Sequence, residues 1–377
     1  METLAIIVNY KSADLTKRAV RSVLDSESLG PVRAVVVDNS EDQNEAEKLR
    51  SCLPSNVALQ VSPENIGFGR ACNLAYDQFN GEQVLLINPD AQLLPGCLLR
   101  LQKTLASRKK IGAVSSQIFW DGNLMFYLPF SYPLPLFEFQ AFLNSWGPRT
   151  YVSRLHSAIW RYHSIKVWRS KRPVRVNNLS GGLVLLKREA VQKAGGLFDP
   201  RFFLYFEDTD LFIRLRRRGY ALVVEPRAKA IHHYDQCGQE NLEKKRSFMA
   251  ESYTLLWEKR RNGVRSRMRR SMNHVLPHGK SSNETGYGPN FTSPFVLEVP
   301  PSLQKEWLFE VSPNPNFIPC AARFGNGPLM DFPDECWNML APGKYFGRLG
   351  DPKPVGRCFE AVTWVVGQNS GRRQGVE

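Results

Sequence analysis

The chain has 377 residues, a formal net charge of +14, and 42% hydrophobic and 23% charged residues, which is the composition of a globular protein. Since domains usually hold about 100 to 200 residues, this length predicts more than one domain. The basic excess favours anionic partners such as nucleotides, phosphoglycans, nucleic acid or an anionic membrane surface. The sequence contains no apolar run of about 18 residues, so it predicts no membrane-spanning helix.

Cysteine usage and the start of the chain favour a cytoplasmic protein. The cysteines are odd in number, scattered, and without the close pairs typical of zinc or redox sites, so we interpret them as reduced thiols. The first residues lead directly into the apolar segment Leu4–Val8. This pattern predicts a buried strand rather than a secretion signal.

Strand-like and helix-like segments alternate through the first half of the chain. The predicted strands are Leu4–Val8, Val32–Val37, Val57–Val61 and Val84–Ile87. The predicted helices are Leu15–Leu24, Glu41–Leu49, a helix that begins after Gly67 and runs towards Tyr76, and Leu98–Ala106. This alternation predicts an α/β fold with a Rossmann-like, mostly parallel central sheet and helices on both faces.

The pattern changes in the middle of the chain and returns later. Residues 124–146 are rich in aromatics and prolines, and residues 153–172 combine basic and aromatic side chains. We interpret about 120–175 as an insert. A strand at Leu183–Leu186 and a helix at Asp208–Arg218 follow, and with them the first domain extends over 1–262.

Two further segments complete the predicted organisation. Residues 263–294 form a basic and polar linker, and residues 295–377 contain short strand-like runs between prolines and glycines, as in a small β-rich module. We assign no chemistry to this module. Its aromatics Trp307, Phe309, Trp337 and Tyr345 are more simply explained as core than as a sugar-binding surface.

Polar residues follow three of the predicted strands. Asn9-Tyr10, Asp38-Asn39 and Asn88-Pro89-Asp90 would share the carboxyl edge of the sheet, where open α/β sheets bind ligands. Mg²⁺ or Mn²⁺ on a nucleotide diphosphate needs few protein ligands, because phosphates and water supply the others. Asp90 is therefore the predicted metal ligand.

A glycine turn lies between the third and fourth predicted strands. Gly67 permits backbone amides and a helix N-terminus to approach an anion, and Arg70 adds positive charge there. Taken alone, this turn is weak evidence for phosphate binding, and Asp38-Asn39-Ser40 alone is typical of an ordinary turn.

A second group of candidate residues lies in the later part of the domain. It consists of Gly181-Gly182, Glu207-Asp208 and His232-His233. Glu207 and Asp208 lie at the start of a predicted helix. Such acids either cap the helix and compensate its dipole, or act as a base that abstracts a proton. The histidines are explained either as packed surface residues or as metal ligands.

In this order, the motifs resemble the family 2 inverting glycosyltransferases with the GT-A fold, most closely their bacterial rhamnosyltransferase-like branch, over about Thr3–Gly238. The resemblance implies Asp208 as the catalytic base beside Glu207, and metal binding by Asp90 and His232. It implies acceptor binding by Gly181 and Gly182. The donor-binding residues it implies are Val8, Asn9, Tyr10, Asp38, Asn39, Asn65, Gly67, Phe68, Arg70, Asn73 and Asn88.

The resemblance implies a single inverting displacement that moves a sugar from a nucleotide-sugar donor, with dTDP-rhamnose as a candidate, to a cell-surface polysaccharide or polyprenyl-linked glycan. Two alternatives are a glycan- or nucleotide-sugar-binding protein without turnover and a nucleotidyltransferase. The second is disfavoured, because no glycine-rich loop with a lysine follows the first strand. Nucleic acid is not an expected partner, since no recognition module is present.

The aromatic and basic insert has two interpretations. It either rests peripherally on the anionic inner face of the cell membrane, or packs as a helical flap over the sheet.

Overall fold

The computed structural model describes residues 1–130, 151–233, 242–260, 290–353 and 358–366. The chain divides into two compact units, one formed by Met1–Ile118 and Ser170–Arg269 and the other by Phe119–Arg169 and Arg270–Glu377. Most of the predicted linker 263–294, much of the aromatic segment 124–146 and the residues that follow His233 up to 241 lie outside the described residues.

The first unit is built on a nine-stranded sheet with the order β3-β2-β1-β4-β8-β6-β9-β5, in which β7 also pairs with β9. Its strands are β1 Thr3–Asn9, β2 Val32–Asp38, β3 Ala58–Val61, β4 Gln83–Ile87, β5 Ala91–Leu93, β6 Ile111–Phe119, β7 Val174–Val176, β8 Leu183–Lys187 and β9 Ala221–His232. The predicted strands of the first half are all present, the strand predicted at Leu183–Leu186 is β8, and β5, β6, β7 and β9 are additional.

The direction of the strands changes in the middle of this sheet. β1 runs parallel to β2 and β4, with Asn9 opposite Asp38, and β2 runs parallel to β3. β8 instead lies antiparallel to β4, and β5 lies antiparallel to β9. The antiparallel pairs bring the start of β8 to the end of β4, and they set Ala91 opposite His232.

Helices accompany this sheet. Those in the first unit are α1 Ala13–Leu24, α2 Gln43–Cys52, α3 Phe68–Gln78, α4 Cys97–Ala106, α6 Arg188–Lys193, α7 Glu207–Arg217 and α8 Leu242–Arg260, whereas α5 Tyr151–Trp168 lies in the second unit. Helix α4 explains how they attach: Leu98, Leu101 and Leu105 recur at helical spacing and are fully buried in the core of the sheet. No helix of the described part of the chain has the length and apolar character to cross a membrane.

The second unit contains a five-stranded sheet with the order β10-β16-β15-β12-β13 and a two-stranded pair, β11 and β14. The bounds are β10 Asn290–Phe291, β11 Val296–Glu298, β12 Trp307–Ser312, β13 Ala321–Gly325, β14 Leu329–Asp331, α9 Asp334–Asn338, β15 Gly343–Gly350 and β16 Cys358–Val366, with a 3₁₀ turn at Pro301–Leu303. The prediction of a small β-rich module is confirmed. Trp307, Phe309 and Trp337 lie in its core, as expected.

Helix α5 packs on this second sheet. Ile165 and Trp168 share an apolar cluster with Leu308 and Phe317. Arg161 on the same helix contacts the buried carboxylate of Glu310 on β12, with a distance of 2.8 Å from Nε to Oε2. The helix, which the sequence patterning did not predict, is therefore part of the second unit.

Candidate active site

The ends of β1 and β2 are joined by a buried polar network around Asp38. Its carboxylate, 1% exposed, accepts hydrogen bonds at Oδ1 from Asn9 Nδ2 at 3.0 Å and from Ser40 Oγ at 2.6 Å. Asn9 is itself fully buried, and its Nδ2 also lies 3.2 Å from Glu45 Oε1. Asn9 is therefore a buried residue that holds the Asp38 carboxylate in position. Nothing in the sequence distinguished Glu45, because its part in this network depends on how α2 packs.

Asn39 and Asn65 connect the end of β2 to the glycine turn. Asn39 Nδ2 donates to Asn65 Oδ1 at 2.8 Å, and Asn39 Oδ1 accepts from the backbone amide of Ile66 at 2.9 Å. Asn65 Oδ1 also accepts from the Gly67 amide at 3.0 Å. These bonds hold the turn beside the carboxyl edge of the sheet.

The glycine turn packs against the backbone of Phe203. Gly67 has a φ of +83°, and a Cβ at this position would lie only 2.5 Å from the Phe203 carbonyl oxygen. The Phe68 amide donates to that same oxygen at 2.8 Å. The group that leaves no room for a side chain at position 67 is thus the backbone of Phe203. The amides of Ile66, Gly67 and Phe68 all donate hydrogen bonds to acceptors within the protein.

The first turns of α3 hold the loop that leads to α7. Asn73 Nδ2 donates to the Phe198 carbonyl at 2.8 Å, and Asn73 Oδ1 accepts from the Phe198 amide at 3.0 Å. Arg70 Nε donates to the Pro200 carbonyl at 2.7 Å. Both side chains predicted to bind the donor therefore connect the glycine turn to the 198–203 loop.

Asp90 and His232 meet at the end of the sheet. His232 Nε2 lies 3.1 Å from Asp90 Oδ1, and the two side chains are 7% and 3% exposed. The pairing of β5 with β9 sets this geometry, and the His233 amide donates to the Asp90 carbonyl at 3.0 Å. The imidazole of His232 thus lies directly beside the carboxylate of Asp90.

This pair fits a small divalent cation. Two adjacent ligands of an octahedral ion, each about 2.1 Å from the metal, lie about 3 Å apart, which is the spacing of the Asp90 and His232 donor atoms. The described residues contain no group of three or more His, Cys, Asp or Glu side chains suited to a metal. Mg²⁺ or Mn²⁺ bound here would therefore complete its shell with phosphate oxygens and water.

The Gly181-Gly182 segment before β8 lies beside both Asp208 and the Asp90–His232 pair. The Gly181 amide donates to Asp208 Oδ2 at 2.8 Å. A Cβ on Gly182 would lie 2.9 Å from His232 Cε1 and 3.1 Å from Asn88 Nδ2, and the Gly182 carbonyl accepts from the Asn88 amide at 2.8 Å. Asp208 on α7 and the Asp90–His232 pair are thus brought into one cluster, although they are distant in sequence.

Helix α7 begins in an unusual backbone conformation. Tyr205 and Phe206 have φ values of +71° and +65°, a left-handed region that aromatic residues rarely occupy. The helix then starts with Glu207, and Asp208 Oδ1 accepts from Thr209 Oγ1 at 3.1 Å. Such backbone strain persists only where the surrounding structure holds it, and it is concentrated at functional sites.

Burial raises the pKa of both acids at the start of α7. For Glu207, which is 5% exposed, the neighbouring charge of Asp208 adds to the effect of burial on the pKa. For Asp208, hydrogen bonds from Gly181 and Thr209 oppose the rise in pKa that burial causes. Glu207 Oε2 has no hydrogen-bond partner among the residues that the structure describes. Asp208 has the fixed orientation and raised proton affinity that suit a general base.

Helix α8 packs against residues 203–206, the segment that leads into α7. The sequence patterning did not predict this contact. Ser252 Oγ donates to the Leu204 carbonyl at 2.8 Å, and the rings of Phe248 and Phe203 lie 4.4 Å apart. Tyr253 packs against Phe206 with ring centroids 5.7 Å apart. These contacts hold the strained residues in place.

Comparison with known proteins identifies the family. The sequence model described as "Glycosyl transferase family 2" matches residues 4–168. The chain is 30% identical over 218 residues to N-acetylglucosaminyl-diphospho-decaprenol L-rhamnosyltransferase of Mycobacterium tuberculosis strains CDC 1551 and H37Rv, covering 54% of this chain and 67% of that protein. The chain belongs to glycosyl transferase family 2.

Two solved structures are similar to this family 2 glycosyltransferase. GalNAc-T7, crystallised with UDP, GalNAc and Mn²⁺, has a TM-score of 0.47 and 14% identity, over 68% of this chain and 48% of that chain. The mannosyltransferase PcManGT from Pyrobaculum calidifontis, in complex with GDP-Man and Mn²⁺, has a TM-score of 0.44 and 20% identity, over 70% of this chain and 65% of that chain. The chain thus spans about half the length of the first structure.

Family membership agrees with the architecture of the first unit. The predicted α/β class with a GT-A sheet is confirmed, and the parallel strands are β3, β2, β1 and β4. As a member of family 2, the protein is a glycosyltransferase that takes its sugar from a nucleotide-sugar donor.

Proposed function

We propose that this family 2 glycosyltransferase transfers rhamnose from dTDP-rhamnose to a hydroxyl of a lipid-linked glycan or cell-surface polysaccharide, with inversion at the anomeric carbon. The observation that carries the proposal is the Gly181-Gly182 segment, which contacts Asp208 through one residue and His232 through the next. The choice of sugar and acceptor is supported by the name of the Mycobacterium tuberculosis relative.

In the proposed reaction, Asp208 accepts the proton of the acceptor hydroxyl as that oxygen bonds to the anomeric carbon and the bond to the diphosphate breaks. The Gly181 amide, which donates to Oδ2, and Thr209 Oγ1, which donates to Oδ1, hold the carboxylate in one orientation. The raised pKa of Asp208 favours its role as a proton acceptor, since a stronger base takes the hydroxyl proton more readily. Glu207 stays beside it as a buried acid.

Asp90 and His232 would hold the divalent cation, which is Mg²⁺ or Mn²⁺. When bound, the ion supplies positive charge that stabilises the departing nucleoside diphosphate. Gly182 makes room for the imidazole, and the β5–β9 pairing keeps His232 beside Asp90. This is the reason for assigning the metal to His232 rather than to His233.

The donor nucleotide would lie along the carboxyl ends of β1, β2 and β4. Val8, Tyr10, Asp38, Asn39 and Asn88 occupy those ends. A second set of residues shapes the donor site by holding its loops. These supporting residues are Asn9, Asn65, Gly67, Phe68, Arg70 and Asn73. The acceptor would approach past Gly181 and Gly182, on the side of Asp208.

The test is a panel of nucleotide sugars offered with an N-acetylglucosaminyl-diphospho-polyprenol acceptor, with and without Mn²⁺, and scored by product mass. We expect one deoxyhexose to be added from dTDP-rhamnose, and at least about a hundredfold less product in the same time with the Asp208→Asn variant. Transfer of a different sugar would contradict the donor assignment. Titration calorimetry that detects donor binding without any transfer would favour the binding-protein alternative. Release of pyrophosphate from a nucleoside triphosphate offered together with a sugar 1-phosphate would favour nucleotidyl transfer.

A further inference from the structure

Helix α5 carries exposed apolar side chains along one face. Leu155, Ile159 and Tyr162 are 51%, 41% and 46% exposed. Their spacing of four and then three residues places them on the same side of the helix. His163 and Lys166 are exposed too and continue this face towards the C-terminus of the helix. We define these five side chains as the α5 face.

The opposite side of α5 is buried by packing within its own unit. Trp160, Ile165 and Trp168 are each no more than 4% exposed. The helix is thus anchored through one side, and the apolar residues of the α5 face are not needed for its attachment. Exposed large apolar residues at helical spacing mark an interaction surface rather than scattered surface residues.

Helix α5 carries basic side chains and no acidic one. Residues 139–188 contain no aspartate or glutamate. The helix carries Arg154, Arg161 and Lys166. Arg161 is buried and paired with Glu310, whereas Lys166 is exposed and supplies positive charge to the α5 face. An anionic partner therefore complements this part of the chain, whereas a second copy of the chain would bring the same positive charge against it.

We propose that the α5 face docks on an anionic lipid bilayer, with the helix lying in the plane of the interface. Leu155, Ile159 and Tyr162 would enter the boundary between headgroups and acyl chains, while Lys166 stays at the level of the anionic headgroups. The surface is short and polar at one end, as in helices that lie on membranes rather than cross them. It is also distinct from every residue assigned to sugar transfer.

Vesicle flotation of the purified full chain tests this directly. We expect the protein to float with vesicles that contain phosphatidylglycerol, to remain below vesicles of phosphatidylcholine alone, and to be released by high salt. The variant Leu155→Gln/Ile159→Gln/Tyr162→Gln should bind at least about tenfold more weakly, because it removes the apolar contacts. Lys166→Gln should weaken binding about fivefold.

A matched control carries three substitutions at exposed apolar positions elsewhere. Val296→Thr, Leu329→Thr and Met249→Gln alter side chains that are 57%, 56% and 42% exposed. This control should float like the wild type. The proposal is overturned if the wild type does not float with anionic vesicles, or if the α5 and control variants lose binding equally. Flotation needs neither donor nor acceptor, so its result is independent of the proposed transferase activity.

A photoreactive benzoylphenylalanine at position 159 identifies what covers the face. With anionic vesicles present, we expect crosslinks to lipid. Capture of a second copy, or of residues 131–150 of the same chain, in place of lipid would contradict the proposal. Circular dichroism and thermal unfolding of Lys166→Gln, an exposed single substitution, provide a folded variant should the triple variant lose structure.

Discussion

The backbone amide of Gly181 donates a hydrogen bond to Asp208 Oδ2, with a donor–acceptor distance of 2.8 Å. A side chain at position 181 would begin only 3.0 Å from Asp208 Cβ, so Asp208 would have to shift by a few tenths of an ångström to accommodate it. The loop before β8 and the first turn of α7 are fixed to each other by this hydrogen bond. The orientation of the carboxylate is thus determined by the sheet rather than by α7 alone.

Asp208→Asn tests the role of this carboxylate as a base. Asparagine keeps the size of the side chain but cannot accept the acceptor's proton, so we expect kcat to fall by about 10² to 10⁴ with donor affinity unchanged. Steady-state transfer kinetics and titration calorimetry measure the two quantities. Asp77→Asn, at an exposed position on α3, is the control and should retain full activity. A variant with unimpaired kcat would exclude Asp208 as the base.

Asp90→Asn and His232→Gln test the proposed metal site. We expect Mn²⁺ affinity, read from the electron paramagnetic resonance signal in the presence of nucleoside diphosphate, to fall by about tenfold or more in each variant. Asp90→Asn should have the larger effect, because small hard cations prefer carboxylates. The same substitution at Asp77 serves as the control. If both variants bind Mn²⁺ as tightly as the wild type does, the ion is held elsewhere.

Gly182→Ala tests the close packing around the imidazole. Its new methyl group would lie 2.9 Å from His232 Cε1 and 3.1 Å from Asn88 Nδ2, so one of these side chains must move. We expect Mn²⁺ affinity and kcat to fall together while the protein stays folded by circular dichroism. Gly122→Ala is the control, since its added methyl would make only ordinary contacts with the Glu335 carboxylate, at 3.5 Å from Oε1 and 3.8 Å from Oε2. Equal effects of the two substitutions would argue against a specific role for Gly182.

Glu207→Gln tests the buried acid beside the base. Burial and the charge of Asp208 raise the pKa of Glu207 above the value of 4.5 expected in the unfolded chain. As pH rises above about 4.5, the unfolded state loses this proton before the folded state does, and the free energy of unfolding falls by up to about 1.4 kcal/mol per pH unit. Glutamine removes this titration, so the variant should gain stability relative to the wild type as pH rises.

Urea unfolding of both proteins at several pH values measures this difference. Glu298→Gln, an exposed substitution on β11, should keep the pH slope of the wild type. A Glu207→Gln variant with the wild-type slope would mean that Glu207 is ionised in the folded protein.

Much of the candidate site was predictable because it depends on where strands end. In parallel strands the carboxyl ends share one edge, so Asn9, Asp38 and Asn88 could be placed together from the apolar runs before them. The contact between Asp90 and His232 could not be derived in this way. It depends on the antiparallel pairing of β5, a strand of only three residues, with β9.

Residue roles were harder to predict than residue positions. The glycine at position 67 looked like a phosphate-binding feature, yet the backbone of Phe203 explains why no side chain fits there. Because that contact joins residues far apart in sequence, no local sequence pattern predicts it. Helix α5 was missed for a related reason. Its apolar residues lie on both the buried and the exposed side, which removes the simple helical periodicity.

Glu310→Gln tests a buried charge network in the second unit. Burial would raise the pKa of Glu310, but Arg348 and Arg161 hold it below its usual value. Arg348 Nε and Arg161 Nε both lie 2.8 Å from Glu310 Oε2, and the Glu310 side chain is fully buried. Glutamine would leave two guanidinium groups without a buried counter-charge. We expect the free energy of unfolding to fall by about 3 to 5 kcal/mol.

Tryptophan fluorescence suits this measurement, because every tryptophan in the described ranges except Trp257 belongs to the second unit. The matched control is Glu306→Gln, which removes an ion pair with Arg169 in which both side chains are largely exposed, and it should cost about 1 kcal/mol or less. Because the pKa of Glu310 is lowered, its stabilising effect is present above the unfolded pKa and is lost as pH falls. The difference between the two variants should therefore shrink in acid, and equal losses at neutral pH would mean that the buried pair stabilises the unit no more than the exposed one does.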